Sequence, residues 1–346
     1  MKTAISIGSA YYDGSNWEDL VELVKLADRI GVEYAWSAEA WGMDAVSPLA
    51  YLAPLTKTIR LGTGIMQTSA RTPATAAMTS LALARLTNNR FVLGLGVSGP
   101  QVVEGLHGAS FEKPLGRLRE YINIVRQGIS GERIQNDGPQ YVLPRPGGEG
   151  KALRLGMPPN PSIPIYLATL GPKMLELTGE LADGWVGTSF IPEASADVIS
   201  HLRIGAERAG RSLADLDLQV NATIEVGDDV EALIKKYKKS TAFTLGAMGS
   251  PETNFYNAAF SRAGWESMAK RVQTLWVSGD KQAAVEAVDD DFVLATQMIG
   301  NESMVLERLR ATAAAGITTI RIVPLGRSVR EQQAHLEHVR SLIQTL

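Results

Sequence analysis

The chain has no cysteine, four histidines and few aromatic residues (6%), and its charges almost cancel, 37 acidic against 34 basic, over 346 residues. Without cysteine there is no disulfide, no thiolate nucleophile and no zinc–thiolate site, which suits a reducing compartment. The histidines are scattered at 107, 201, 335 and 338. They form neither H-E-x-x-H nor an H-x-H after the first strand, so no metal centre is expected. His335 and His338 lie on the last helix among polar neighbours and are expected to be solvated. A net charge of −3 without a basic stripe gives no reason to expect nucleic acid or an anionic membrane surface as partner. Signatures of α/β-hydrolases, P-loop enzymes and kinases are missing, as are internal repeats and low-complexity tracts. Residues 1–9 read as a strand with neither a long apolar run nor a cleavage site behind it, so a cytoplasmic protein is expected.

What the chain does have is a rhythm. With 45% hydrophobic and 21% charged residues it has ample material for a core. Apolar runs of strand length fall at 3–9, 33–38, 59–65, 91–95, 164–168, 184–187, 217–226 and 318–323. Between them, 16–30, 73–87, 115–130 and 302–315 carry apolar residues at helical spacing. Glycines at 31 and 316 close two of these helices just before the next strand. Eight strands alternating with helices predict an α/β fold, a single closed (β/α)8 TIM barrel spanning 1–346. Two segments interrupt it. Residues 131–162 are rich in Gly and Pro, with turn chemistry at Asn136-Asp137-Gly138-Pro139, which predicts a hairpin-bearing insertion over the barrel mouth. Residues 244–291 predict a helical insertion between strands seven and eight.

In such a barrel the loops after the strands converge on one face, and candidate functional residues are sought there. Glu39 and Trp41 follow strand two, where a carboxylate and an indole would line a planar ligand or would cap and pack. Gly62 and Gly64 interrupt strand three around Thr63 and Ile65, marking either a close backbone approach to a ligand or a tight packing point. Gly96, Val97, Ser98 and Gly99 form a glycine-rich turn after strand four. Its glycines satisfy G-x-G-x-x-G, yet no acidic residue closes a second strand about twenty residues on. Ala168, Thr169, Leu170 and Gly171 open a helix after strand five, a phosphate seat or a plain turn. His107 is placed to move a proton or cap a turn.

Taken in order, IRLGTGIM at 59–66, RTP at 71–73, the 89–107 stretch, RLREY at 117–121, 164–185, 246–256 and GITTIRIVP at 316–324 resemble the bacterial luciferase-like flavin and deazaflavin oxidoreductases. That superfamily includes methylenetetrahydromethanopterin reductase and coenzyme F420-dependent glucose-6-phosphate dehydrogenase. The resemblance implies a luciferase-like barrel holding coenzyme F420, with FMN as the alternative. It implies a non-prolyl cis peptide at Gly64-Ile65 behind the cofactor's central ring. Glu39 would contact the ring, and Gly96–Gly99 and Ala168–Gly171 its edge and phosphate-bearing tail. The implied activity is hydride transfer between the deazaflavin C5 and a small-molecule substrate, with Glu39 and His107 as catalytic candidates and Trp41 lining the substrate. Ala40 stands where several deazaflavin relatives have His, and Pro100 and Val103 where the sugar-phosphate dehydrogenase has polar residues, so a different substrate is expected. Two other readings stay open, an FMN-dependent monooxygenase and a non-catalytic flavin-binding barrel. Pairing through early helices would make a homodimer.

Overall fold

The computed structural model describes residues 1–7, 16–249 and 253–346. Eight parallel strands close on themselves: β1 (Lys2–Ile7), β2 (Tyr34–Ser37), β3 (Arg60–Thr63), β4 (Phe91–Gly96), β5 (Ile165–Leu167), β6 (Gly184–Gly187), β7 (Asp217–Ala222) and β8 (Thr319–Ile322). Closure comes from β8 pairing with both β1 and β7, and from β3 pairing with β4. The eight expected strands are these. The proposed ends of the first at 8–9, and part of the 246–256 stretch, lie outside the described residues.

Each strand sorts its side chains by the two-residue alternation of the pleat. Ile5, Ile7, Val220, Ile320 and Ile322 face outward into the main apolar cluster, shared with the surrounding helices. Ala4, Tyr34, Trp36, Val92, Tyr166 and Val186 form a separate cluster inside the barrel. The outer helices supply the matching faces: Trp17–Arg29, capped by Asn16, buries Val21, Leu23, Val24, Leu26 and Ala27. Gly31 and Gly316 take φ of +79° and +91° at the expected helix-to-strand turns, a conformation that a side chain would strain.

Three expectations change. The seventh run does not continue to 226: β7 ends at Ala222, and Ile224–Val226 leaves the barrel to pair in parallel with Met298–Gly300. That ribbon roots a larger helical insertion than expected, with helices from Val230 to Thr296 around an apolar cluster of their own that includes Leu245, Phe260, Val272 and Phe292. The hairpin at 131–162 forms, pairing Asn136–Asp137 with Val142–Leu143. It docks on the flank of the helix Pro114–Ile129, where the Glu120 carboxylate accepts from Asn136 Nδ2 (3.0 Å) and Tyr141 N (2.8 Å). His335, expected in solvent, is half-buried. Its Nδ1 accepts from Leu325 N at 3.2 Å and its Nε2 lies 2.8 Å from Ile224 O, tying the last helix to the segments after β7 and β8.

Gly94 illustrates how tightly the barrel wall closes. A methyl group there would collide with the backbone oxygen of Thr63, whereas one at Gly99 would meet nothing within 4 Å. Gly94→Ala is therefore expected to cost more than about 3 kcal/mol and yield little folded protein. Gly99→Ala should melt within about 2 °C of the parent; thermal denaturation followed by circular dichroism compares the two.

Candidate active site

The carboxyl ends of the strands gather most of the residues singled out from the sequence. Just after β3 the Gly64–Ile65 peptide is cis, at the position that the resemblance implied. The glycines around it answer to packing. A Cβ at Gly62 would run into the Trp36 indole, one at Gly64 would lie 2.8 Å from Trp36 Cβ, and one at Gly96 would lie 2.9 Å from Ile65 Cγ1. Thr63 is fully buried, and its hydroxyl donates to Gly94 O at 2.8 Å and accepts from Gly94 N at 2.9 Å. Its side chain is a clasp between β3 and β4 and presents nothing to a ligand.

Glu39 stands at the rim, but its oxygens are taken. Arg71 Nη1 reaches both at 2.7 Å, Gln67 N donates to Oε2 at 3.0 Å and Ala45 N to Oε1 at 3.3 Å. Gln67 in turn donates Nε2 to the backbone oxygens of Glu39 (3.1 Å) and Ala40 (3.0 Å), and the Tyr121 hydroxyl donates to Arg71 O at 3.1 Å. A carboxylate held by a guanidinium and two backbone N–H groups is suited to orienting the 39–45 loop and has no lone partner position left for a substrate proton. Sequence reasoning did not name Arg71 as its partner, although RTP was part of the resemblance. Trp41 is 46% exposed at the same rim. His107, after the short helix Pro100–Gly105, is exposed, and its backbone N–H bonds Val102 O.

The turns after β4 and β5 differ in what they leave open. Val97 borders a rim cavity of about 210 Å³ with Arg71, Arg117 and Tyr141, and Ser98 takes φ +60°. Ala168 joins the interior cluster. Thr169 turns its hydroxyl to Thr178 at 2.7 Å, and Leu170 O accepts from Arg262 at 2.7 Å. Gly171 is the amino-terminal cap of the helix Pro172–Leu181, without any side-chain cap. A Cβ there would meet nothing within 4 Å. This helix end, its first N–H groups free and its flank open, fits a phosphate.

Beneath these loops the barrel is plugged. Trp36 Nε1 donates to Gln219 Oε1 (3.0 Å), and Gln219 Nε2 to Asp217 Oδ2 (3.0 Å), which also receives the Tyr34 (2.9 Å) and Tyr166 (3.1 Å) hydroxyls. Burial raises the Asp217 pKa, yet the hydrogen bonds from Thr318, Gln219 and Thr319 and the charge of Lys2 outweigh it, so the carboxyl lies below its ordinary value. Burial and the Asp217 charge push the Tyr34 phenol up to about 12. Among the described residues no group of three or more His, Asp and Glu is placed to hold a metal, and no helix is long and apolar enough to cross a membrane.

The fold is a (β/α)8 barrel with the loops after its strands gathered at one end. The chain belongs to the luciferase-like monooxygenase family, which matches over residues 1–319. It is 39% identical, over 92% of its own length and 93% of the relative's, to a Mycobacterium tuberculosis H37Rv protein named "Putative coenzyme F420-dependent oxidoreductase Rv3520c". To the 5,10-methylenetetrahydromethanopterin reductase of Archaeoglobus fulgidus it is 28% identical over 91% of this chain and 92% of that one. The structure of the coenzyme F420-dependent tetrahydromethanopterin reductase from Methanopyrus kandleri shares the fold, with a TM-score of 0.77 at 22% identity over 97% and 96% of the two chains.

Removing the Glu39 charge leaves Arg71 with half its partners in a site where the two side chains are only 9% and 18% exposed. Glu39→Gln is expected to lower the unfolding free energy by about 3 kcal/mol, measured by urea denaturation. A variant as stable as the parent would show that the pair does not hold the loop.

Proposed function

We propose that the protein is a coenzyme F420-dependent oxidoreductase acting on a small organic substrate at the barrel mouth. The observation that carries this reading is the open, uncapped helix end at Gly171, in a chain 39% identical along nearly its whole length to a relative named for that coenzyme. Bound there, the deazaflavin would supply hydride chemistry at C5, one partner losing and the other gaining two electrons. Gly171 and the free N–H groups behind it would hold the phosphate of the tail. The Gly62–Ile65 backbone and the Glu39–Arg71 pair would shape the ring's wall, and Trp41 would border the substrate. The protein's own contribution is to bind, orient and exclude water, which asks for no acid–base dyad. That suits a site whose carboxylate is committed to an arginine.

Titration with oxidised coenzyme F420 and, separately, with FMN, followed by ligand fluorescence, tests the choice. Selective binding of coenzyme F420 is expected; selective binding of FMN would turn the reading to a flavin monooxygenase, and binding of neither would overturn it. Gly171→Ala, whose Cβ would enter the seat without meeting the protein, should weaken coenzyme F420 at least about tenfold while leaving the melting temperature unchanged.

We also propose a homodimer. Tyr51, Leu55, Met78 and Leu86 are exposed apolar residues on the early helical segments Ser47–Leu55 and Pro73–Leu86, the kind of surface a second copy covers. Sedimentation should give twice the chain mass for the parent and a shift to monomer for Tyr51→Glu/Met78→Glu; a monomeric parent would refute it.

A further inference from the structure

Arg321 is a cation inside the barrel. It stands on β8 in register with Ala4 of β1 and Asn221 of β7. Ala4 belongs to the interior cluster, while Ile320 and Ile322 on either side of Arg321 face the outer helices, so the pleat aims Arg321 inward. The residue is 9% exposed. Its Nε has no hydrogen-bond partner, and no carboxylate lies within ion-pair distance among the described residues. Asp217, lower on the neighbouring strand, is already engaged by Tyr34, Tyr166, Gln219, Thr318 and Thr319. Asn221, level with Arg321, is exposed, so this layer of the interior opens into the mouth. Tyr256, on the helix Phe255–Phe260 of the insertion rooted after β7, acts electrostatically on Arg321 when ionised, but burial raises its phenol above the ordinary value and keeps it neutral near pH 7. Burial lowers the guanidinium to a pKa of about 10, which leaves it charged at neutral pH.

A buried positive charge without a counter-ion is costly, and a fold keeps one where a ligand completes it. The phosphate seat proposed at Gly171 follows β5, three strands around the barrel from Arg321 on β8. The planar guanidinium matches a carboxylate in two parallel hydrogen bonds. One positive charge balances one negative charge, whereas a phosphate dianion would be left half-neutralised.

Resting on the hydride-transfer reading, we infer that the substrate is a small organic monocarboxylate whose carboxylate is held by Arg321, with Asn221 beside it. Hydride then passes on the side of the mouth formed by β7, β8 and the insertion, with the acid end fixed and the remainder of the substrate projecting toward Trp41.

The test uses butyrate and benzoate as probes, with butyramide and benzamide as their neutral counterparts, measured by calorimetry and by thermal shift at constant ionic strength. The parent protein, alone and with coenzyme F420, should bind at least one of the acids about tenfold more tightly than its amide. Arg321→Met should lose that preference, keep its affinity for coenzyme F420 and melt no lower than the parent, because it removes an unpaired buried charge. Arg321→Lys should retain part of the preference, and it carries the comparison if the Met variant does not fold. The inference falls if acids and amides bind alike, if neither acid binds, if inorganic phosphate is preferred to both, or if the Met variant still selects the acids. Failure of coenzyme F420 to bind the parent would overturn the cofactor instead, since the acid–amide comparison on the free protein is independent of it.

Discussion

The architecture of the mouth depends on one indole. Trp36 is 1% exposed in the barrel interior, stacked on Tyr34 at 5.6 Å and tilted against Tyr166 at 5.6 Å. Its ring occupies the space that side chains at Gly62 and Gly64 would need and lies against the Gly94 backbone. Their absence lets β3 and β4 close to where the Thr63 hydroxyl bridges both the N–H and the oxygen of Gly94. Everything above that plug is mouth and everything below it is core. A smaller residue at 36 would leave a cavity under three glycines at once, a loss of packing that the neighbouring backbone, fixed by its ladder of hydrogen bonds, could not fill.

Charge inside the barrel is divided along its axis. At the base, Asp217 is ionised among hydroxyls, an amide and Lys2, with every donor drawn from the protein. A buried carboxylate so satisfied contributes stability that is present above its unfolded pKa and lost as pH falls through its depressed folded value. At the mouth, Arg321 Nε has no hydrogen-bond partner, and among the described residues no carboxylate pairs with the guanidinium. The same interior thus holds one charge that the fold completes and one that it does not. Stability accounts for the first; the second is a cost to the fold.

Much of this was legible in the sequence. Parallel strands buried on both faces read as apolar runs, and helices with one buried face read as periodic segments, so all eight strands could be located before their pairing was known. The end of β7 could not. Residues 217–226 are one β-prone run, and what ends the strand at Ala222 is a pairing partner, Met298–Gly300, more than seventy residues away. Glycine spacing marked the correct loops but not the reason for the glycines. In Gly62, Gly64 and Gly94 it registers Trp36 and Thr63, which no local pattern names. Glu39 was found by position, while Arg71, which decides what Glu39 is free to do, lies 32 residues on in a different loop. Arg321 sits in the GITTIRIVP strand motif, where nothing local marks it out. An arginine flanked by isoleucines reads as a solvated strand edge until the register shows which face it takes.

The two halves of the mouth are built from different materials, and this has a chemical consequence. On the β3, β4 and β5 side the groups available to a ligand are largely backbone: the Gly64–Ile65 step and the free N–H groups after Gly171. Thr63, Thr169 and Glu39 there turn their polar atoms into the protein. Backbone surfaces of this kind recognise what is constant in a ligand, a flat ring and a phosphate, and substitutions alter them little. On the β7 and β8 side the inward and rim positions are side chains, Asn221 and Arg321. A single substitution changes the charge, size or hydrogen bonding of that wall without moving the other. A barrel arranged this way can hold one cofactor and exchange one substrate for another by changing residues on a single face, and the insertion after β7 is the element placed to make that change.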